Sequence, residues 1–191
     1  MITILALGDS LTAGFTVATR QAYPALLEQK LRMTGYACHV INAGISGETS
    51  AGTLSRINSR LTPKPNIIVL ETGLNDYFQG VNPTVTAQNI RQIVRICKTQ
   101  DVLVILAGMR PIGMLSEIGI LRKNSTAFAQ LYPTIAKEEG VILIPDFLEG
   151  VVNQPNHSPR LTLLDGVHPT AAGYEVVMKT VYPYLVEAMD G

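Results

Sequence analysis

The sequence predicts an α/β fold in which a parallel sheet is covered by helices. Short β-branched and aliphatic runs alternate with longer amphipathic segments from one end of the chain to the other. Of the 191 residues, 47% are hydrophobic and the mean hydropathy is +0.23, so one sizeable core can form without help from metals or disulfides. A single domain spanning residues 1–191 is expected.

Five runs read as strands: Ile2–Leu7, Cys38–Asn42, Ile67–Glu71, Val102–Ala107 and Val141–Ile144. Between and after them lie helix-forming stretches. Tyr23–Met33 places Leu26, Leu27 and Leu31 at helical spacing, and Thr84–Cys97 does the same with Ile90, Ile93, Val94 and Cys97. Thr49–Leu61, Ser116–Glu138 and Thr170–Met189 complete the set. Gly35 is placed to stop the first helix and Thr170 to cap the last. The irregular stretches are Thr12–Gln21, Thr72–Pro83, Gly108–Leu115 and Pro145–His168, and most follow a strand. In open α/β sheets the ligand crevice lies outside the carboxyl ends of the strands, so these loops are expected to wall the site.

Composition narrows the partners. Fifteen basic residues balance fifteen acidic ones, the pI is about 6.8, and no Lys/Arg run is available to neutralise a phosphate backbone. Nucleic acid is not an expected partner, and a small molecule is. Cys38 and Cys97 lie in separate apolar-flanked segments and read as buried thiols in a reducing compartment. Met1–Leu7 is too short and lacks the positive start of a secretory signal, and the longest apolar run, Val102–Met109, is far below the ~18 residues of a membrane span. A cytoplasmic location without stable membrane insertion is the expectation, or a periplasmic or secreted one if a leader has been removed. The oligomeric state is not legible.

Chemistry collects in four places. Gly8-Asp9-Ser10 follows the first strand directly, where Gly8 permits a tight turn and the Ser10 N–H can face a ligand. Taken alone, the tripeptide reads as a strand-ending turn rather than a site, and the serine needs a base before it has chemical meaning. Asp165-Gly166-Val167-His168-Pro169 precedes the final helix. A serine hydroxyl is a weak nucleophile that needs an imidazole to take its proton and return it to the leaving group. His168 fits that need, and Asp165, three residues earlier, can fold back to fix the ring's tautomer. The same pentapeptide also reads as a capped turn beside an exposed histidine. His39, inside a strand, reads as a satisfied core group, and His157 lies in a Pro-rich loop with no Asp or Glu nearby.

The third place is NAGISGETS, residues 42–50. Its small residues let backbone amides approach a ligand, the following helix directs its positive end the same way, and Gly47 N–H becomes a candidate oxyanion donor. A Gly- and Ser/Thr-rich loop before a helix can also cradle a phosphate, although this one lacks the Gly-Lys-Ser/Thr ending of a P-loop. The fourth is Gly73-Leu74-Asn75-Asp76. The Asn75 amide is a neutral, directional donor suited to a transient negative oxygen, and Asp76 is expected to tie the loop down through local backbone N–H groups.

These blocks together, LGDSLTAG, YPALLEQKL, NAGISGETS, GLND and DGVHPTAAG, resemble the SGNH (GDSL) hydrolase superfamily over nearly the whole chain, and most of all its thioesterase I/lysophospholipase L1/arylesterase branch. The resemblance implies a three-layer α/β/α sandwich on a five-stranded parallel sheet, flavodoxin-like in outline. It implies hydrolysis of esters or thioesters through an acyl-serine, without a cofactor or metal. Ser10 would be the nucleophile, His168 the general base and acid, and Asp165 its orienting group. The oxyanion hole would comprise the Ser10 N–H, the Gly47 N–H and the Asn75 amide.

Asp9, Tyr77, Phe78, Met109 and Met114 are candidates for lining the substrate pocket. Tyr77 and Phe78 either narrow an acyl pocket or pack against the neighbouring helix, and the Met109–Leu115 loop either walls the pocket or belongs to the core. The substrates expected are esters of small to medium acyl groups. Two other readings stand beside this one: deacetylation of a sugar or another polar acetyl ester, and a flavodoxin-like binding module holding a phosphate at Ser46–Ser50.

Overall fold

A computed structural model describes residues 1–110, 112, 119–152, 154, 156 and 160–191. Its elements run β1 (Ile2–Gly8), α1 (Ser10–Ala13), α2 (Tyr23–Met33), β2 (Cys38–Gly44), α3 (Ser50–Arg60), β3 (Ile67–Glu71), α4 (Leu74–Phe78), α5 (Pro83–Lys98), β4 (Leu103–Ala107), α6 (Gly119–Glu139), β5 (Ile142–Ile144) and α7 (Ala171–Asp190). The sheet is parallel throughout, in the order β2-β1-β3-β4-β5.

That order sets the layers. Right-handed crossovers running in opposite directions across a sheet put their helices on opposite faces. The step from β1 to β2 therefore carries α2 to one face, where it packs with α7, while the steps from β2 to β5 carry α3, α5 and α6 to the other. The result is the three-layer sandwich. The central strands are covered on both sides and read as continuous apolar runs: all five residues of β3 are buried, as are the last five of β1. Each aliphatic side chain buried in this way stabilises the fold by about 1.5–3 kcal/mol relative to exposure. Cys38 and Cys97 are both buried free thiols, and burial pushes the Cys97 thiol up to about 12. Among the described residues no helix is long and apolar enough to cross a membrane.

Helix boundaries follow their caps. Thr170 accepts from Gly173 N–H at 3.2 Å at the start of α7, Asn82 caps α5, Thr49 caps α3, and Gly35 follows the last turn of α2. Two stretches expected to be irregular contain short helices. Residues 10–13 form α1 because the Asp9 side chain caps it, and residues 74–78 form α4 directly after Gly73. A single helical turn carries too little periodicity to be seen in sequence. His39 is not a core group: β2 is an edge strand with alternating burial, and His39 points to solvent, with Nδ1 2.9 Å from Glu28 Oε2.

The sheet order reverses between β1 and β3. Ligands of open α/β sheets bind at such a switch point, outside the carboxyl ends of the strands. Ser10 follows β1 and Asn75 follows β3, so the two lie on either side of it.

Candidate active site

Ser10 opens α1 and is 7% exposed. Gly8, the residue that ends β1, is required for space. A Cβ there would lie 2.3 Å from Thr12 Oγ1 and 2.5 Å from both the carbonyl oxygen and Oε2 of Glu71. Close approach, rather than turn geometry, is what the position demands, since its φ is not positive.

Ser10 Oγ lies 2.9 Å from His168 Nε2, across 158 residues of sequence. The other ring nitrogen, Nδ1, lies 2.7 Å from Asp165 Oδ2. A carboxylate accepts only, so Nδ1 carries the hydrogen and Nε2 is left as the acceptor facing the Ser10 hydroxyl. Asp165 is itself fixed: its Oδ1 accepts from Val167 N–H at 2.9 Å and His168 N–H at 3.0 Å. Partial burial pushes its carboxyl up, but these bonds and the His168 ring outweigh that and hold it below the ordinary carboxylate range. Phe15 lies against the imidazole, with ring centroids 4.7 Å apart. Tyr174 on α7 donates its hydroxyl to the Ser10 carbonyl at 3.3 Å.

Asp9 and Asn75 meet on the other side of Ser10. The Asp9 carboxylate accepts from Leu11 N–H at 2.9 Å and from Asn75 Nδ2 at 2.9 Å, and Asn75 Nδ2 also donates to the Glu48 carbonyl at 3.0 Å. Burial pushes Asp9 up to about 6, against the pull of the Leu11 N–H and its other partners. Both amide hydrogens of Asn75 are thus engaged, and an incoming carbonyl oxygen must share one of them. Gly47, in the 45–49 loop next to Glu48, has φ +80° and is exposed; its N–H has no hydrogen-bond partner among the described residues.

Asp76 differs from expectation. Its partners are not local backbone groups but the Ser50 N–H at 2.7 Å, the Ser50 hydroxyl and the Thr86 hydroxyl at 3.3 Å, so it ties α4 to α3 and α5. The buried carboxylate occupies the N-terminus of α3, and Gly52 N–H there is directed to Thr49 Oγ1. Those are the amides a phosphate at Ser46–Ser50 would have needed.

Among the pocket candidates, Tyr77 is 2% exposed and its ring lies 4.6 Å from that of Phe128 on α6; Phe78 packs partly buried beside it. Met109 is in the core cluster. Met114 and His157 lie outside the described residues. Sequence reasoning missed Glu48, Arg56 and Glu71. Arg56 on α3 grips the Glu48 carboxylate through Nε and Nη2, which steadies the loop whose carbonyl holds Asn75. An acidic residue closing the otherwise apolar run Ile67–Glu71 was the available signal for Glu71.

A hydroxyl, an imidazole and a carboxylate in line, set over the switch point of a doubly wound sheet, define a class: serine-type hydrolases of ester bonds. The model of the GDSL-like lipase/acylhydrolase family matches residues 6–176, and the chain belongs to that family. It is 34% identical over 184 residues to the esterase TesA of Pseudomonas aeruginosa, covering 96% of this chain and 87% of that one. It is 36% identical over 168 residues to the thioesterase 1/protease 1/lysophospholipase L1 of Escherichia coli, covering 87% and 75%. A crystal structure of TesA superposes with a TM-score of 0.87 at 33% identity, covering 97% of this chain and 99% of that one.

Proposed function

We propose that the chain hydrolyses carboxylic esters of small to medium acyl groups, and thioesters of similar size, with Ser10 as nucleophile, His168 as general base and acid, and Asp165 as the group that orients His168. The observation that carries this reading is the unbroken chain from Ser10 Oγ through the imidazole to Asp165, at 2.9 and 2.7 Å. Esterase, thioesterase and arylesterase names among the relatives support the substrate class.

In the first half-reaction Ser10 Oγ attacks the acyl carbonyl carbon while its proton passes to His168 Nε2. Asp165, ionised and doubly held by backbone N–H groups, stabilises the imidazolium. The carbonyl oxygen becomes an oxyanion facing the N–H groups of Ser10 and Gly47 and the Asn75 amide. As the first residue of α1, Ser10 has an N–H with no intrahelical partner, which leaves it free for this use. The tetrahedral intermediate collapses as His168 protonates the leaving alcohol or thiol. Water then attacks the acyl-serine by the same proton path in reverse. Phe15, 43% exposed beside His168, and Ile45, 44% exposed in the Gly47 loop, offer apolar surface next to the reacting groups, which suits a hydrocarbon acyl or leaving group.

Kinetics on p-nitrophenyl esters of increasing chain length, acyl-CoAs and acetylated sugars test the assignment. Turnover of short and medium p-nitrophenyl esters is expected, with acyl-CoAs also cleaved. Turnover confined to acetylated sugars would overturn the acyl-group reading.

A further inference from the structure

Glu71 ends β3 fully buried, and nothing in the reaction described above uses its carboxyl. Its Oε2 accepts from Asp9 N–H at 3.1 Å and from the Thr12 hydroxyl at 2.9 Å. No hydrogen-bond donor among the described residues reaches its Oε1. The Asp9 N–H on Oε2 sets the Glu71 carboxyl beside residue 9, whose own carboxyl is also buried, and each carboxyl shifts the other.

The charges around this pair are few. Tyr23 from α2, Tyr132 from α6 and Tyr174 from α7 face it with phenols that burial keeps neutral. Arg56 on α3 reaches the Gly8 carbonyl and grips Glu48 through Nε and Nη2, and among the described residues its buried Nη1 meets no partner and no cation pairs with Glu71. Two contacting carboxyls buried without a cation cannot both ionise, and a hydrogen bond between them requires a proton on one. Asp9 has N–H donors on both oxygens, from Leu11 and Asn75, which favour its anion. Glu71 has donors on one oxygen only, so the proton belongs there. Burial first, and the Asp9 charge second, push Glu71 well above the ordinary carboxylate range.

We propose that Glu71 is a positioning residue for the oxyanion hole: held as a neutral acid, it donates to the Asp9 carboxylate, which in turn grips the Asn75 amide. This rests on the assignment of Ser10 and Asn75 above. Neutral Glu71 also limits the negative charge behind the hole to that of Asp9 alone, where a second anion would oppose the developing oxyanion. A carboxyl whose value is raised by folding contributes stability that is present below the ordinary carboxylate range and is lost as pH rises through the folded value.

Glu71→Gln and Glu71→Leu separate the roles. Gln keeps an acceptor for Asp9 N–H and Thr12 and supplies a permanent N–H donor to Asp9, whereas Leu supplies neither. Glu71→Gln is expected to keep kcat within about threefold, while Glu71→Leu lowers kcat by roughly tenfold or more with KM little changed. The fall in Tm as pH rises above the ordinary carboxylate range is expected to be shallower in Glu71→Gln than in the wild type. An infrared C=O band of an un-ionised carboxylic acid is expected in the wild type at the pH of the activity assay, above the Asp9 value, and is missing from Glu71→Gln. A wild type without that band, or a folded Glu71→Gln as impaired as Glu71→Leu, overturns the proposal. So does a folded Glu71→Leu with normal kcat. If Glu71→Leu fails to fold, the band and the Tm–pH profile decide. Fluorophosphonate labelling of the wild type and of Ser10→Ala distinguishes the failures: labelling lost with Ser10 while the band is absent removes only Glu71, whereas an unlabelled wild type removes the Ser10 assignment beneath it.

Discussion

Replacing Asn75 by alanine perturbs the proposed oxyanion hole and its support together, and the two effects read out separately. The amide gives one hydrogen to Asp9 Oδ2 at 2.9 Å and the other to the Glu48 carbonyl at 3.0 Å. Loss of an oxyanion donor lowers turnover by roughly 100- to 1,000-fold, about 2.7–4 kcal/mol of transition-state stabilisation. The stability effect comes from Asp9, whose carboxylate is 1% exposed and keeps Leu11 N–H but loses its donor on Oδ2. An unsatisfied buried polar group costs about 1–3 kcal/mol. For a chain of this length that lowers Tm by roughly 2–12 °C, at about 2–4 °C per kcal/mol. The assay is kcat and KM for a p-nitrophenyl ester, measured well below the Tm found by circular dichroism. The expected result is a folded enzyme with kcat down at least about 100-fold and KM changed by much less. A folded Asn75→Ala enzyme with kcat near that of the wild type would refute the assignment of Asn75 to the hole.

Asp165→Asn keeps the shape of the site but loses the carboxylate that sets the His168 tautomer, and kcat falls by up to about 10⁴-fold, less to the extent that the 42% exposure of the Asp165 side chain lets water substitute. Because the folded Asp165 carboxyl is held low, its contribution to stability is present above the ordinary aspartate value and disappears as pH falls through the folded one. Acid unfolding followed by circular dichroism is therefore expected to be less steep in Asp165→Asn. Gly8→Ala forces a Cβ to within 2.5 Å of the Glu71 carbonyl oxygen, so β1 or β3 must shift; a loss of about 1–3 kcal/mol by urea unfolding is expected, with kcat reduced as well. Phe15→Ala removes the ring that lies against His168 and is expected to raise KM for p-nitrophenyl esters more than it lowers kcat, as steady-state kinetics will show.

The sequence is informative where chemistry and periodicity coincide. All five strands and the long helices are legible because parallel strands buried on both faces make unbroken apolar runs and the crossovers keep helical spacing. The Ser10, Asp165 and His168 set is legible because each residue type has one familiar part in acyl transfer, and the structure brings their side chains into line. Other features depend on tertiary contact. His39 looked internal because its neighbours Cys38 and Val40 are apolar; only the sheet order reveals an edge strand. Asp76 looked local because loop carboxylates commonly bond their own turn, yet its partners lie 26 and 10 residues away. Glu71 is visible as an odd acid at the end of an apolar strand, but its meaning depends on the Asp9 N–H and Thr12 hydroxyl that folding places against it. The substrate pocket was the least legible part, since an aromatic such as Tyr77 serves core and pocket alike until its neighbour Phe128 is known.

Fluorophosphonate labelling followed by peptide mass spectrometry tests the central claim most directly, because the probe reacts with a serine only when a neighbouring base activates it. The account predicts one modified peptide, containing Ser10, in the wild type and none in Ser10→Ala. A folded wild type that resists the probe at neutral pH, or a Ser10→Ala protein labelled as fast as the wild type, would contradict it.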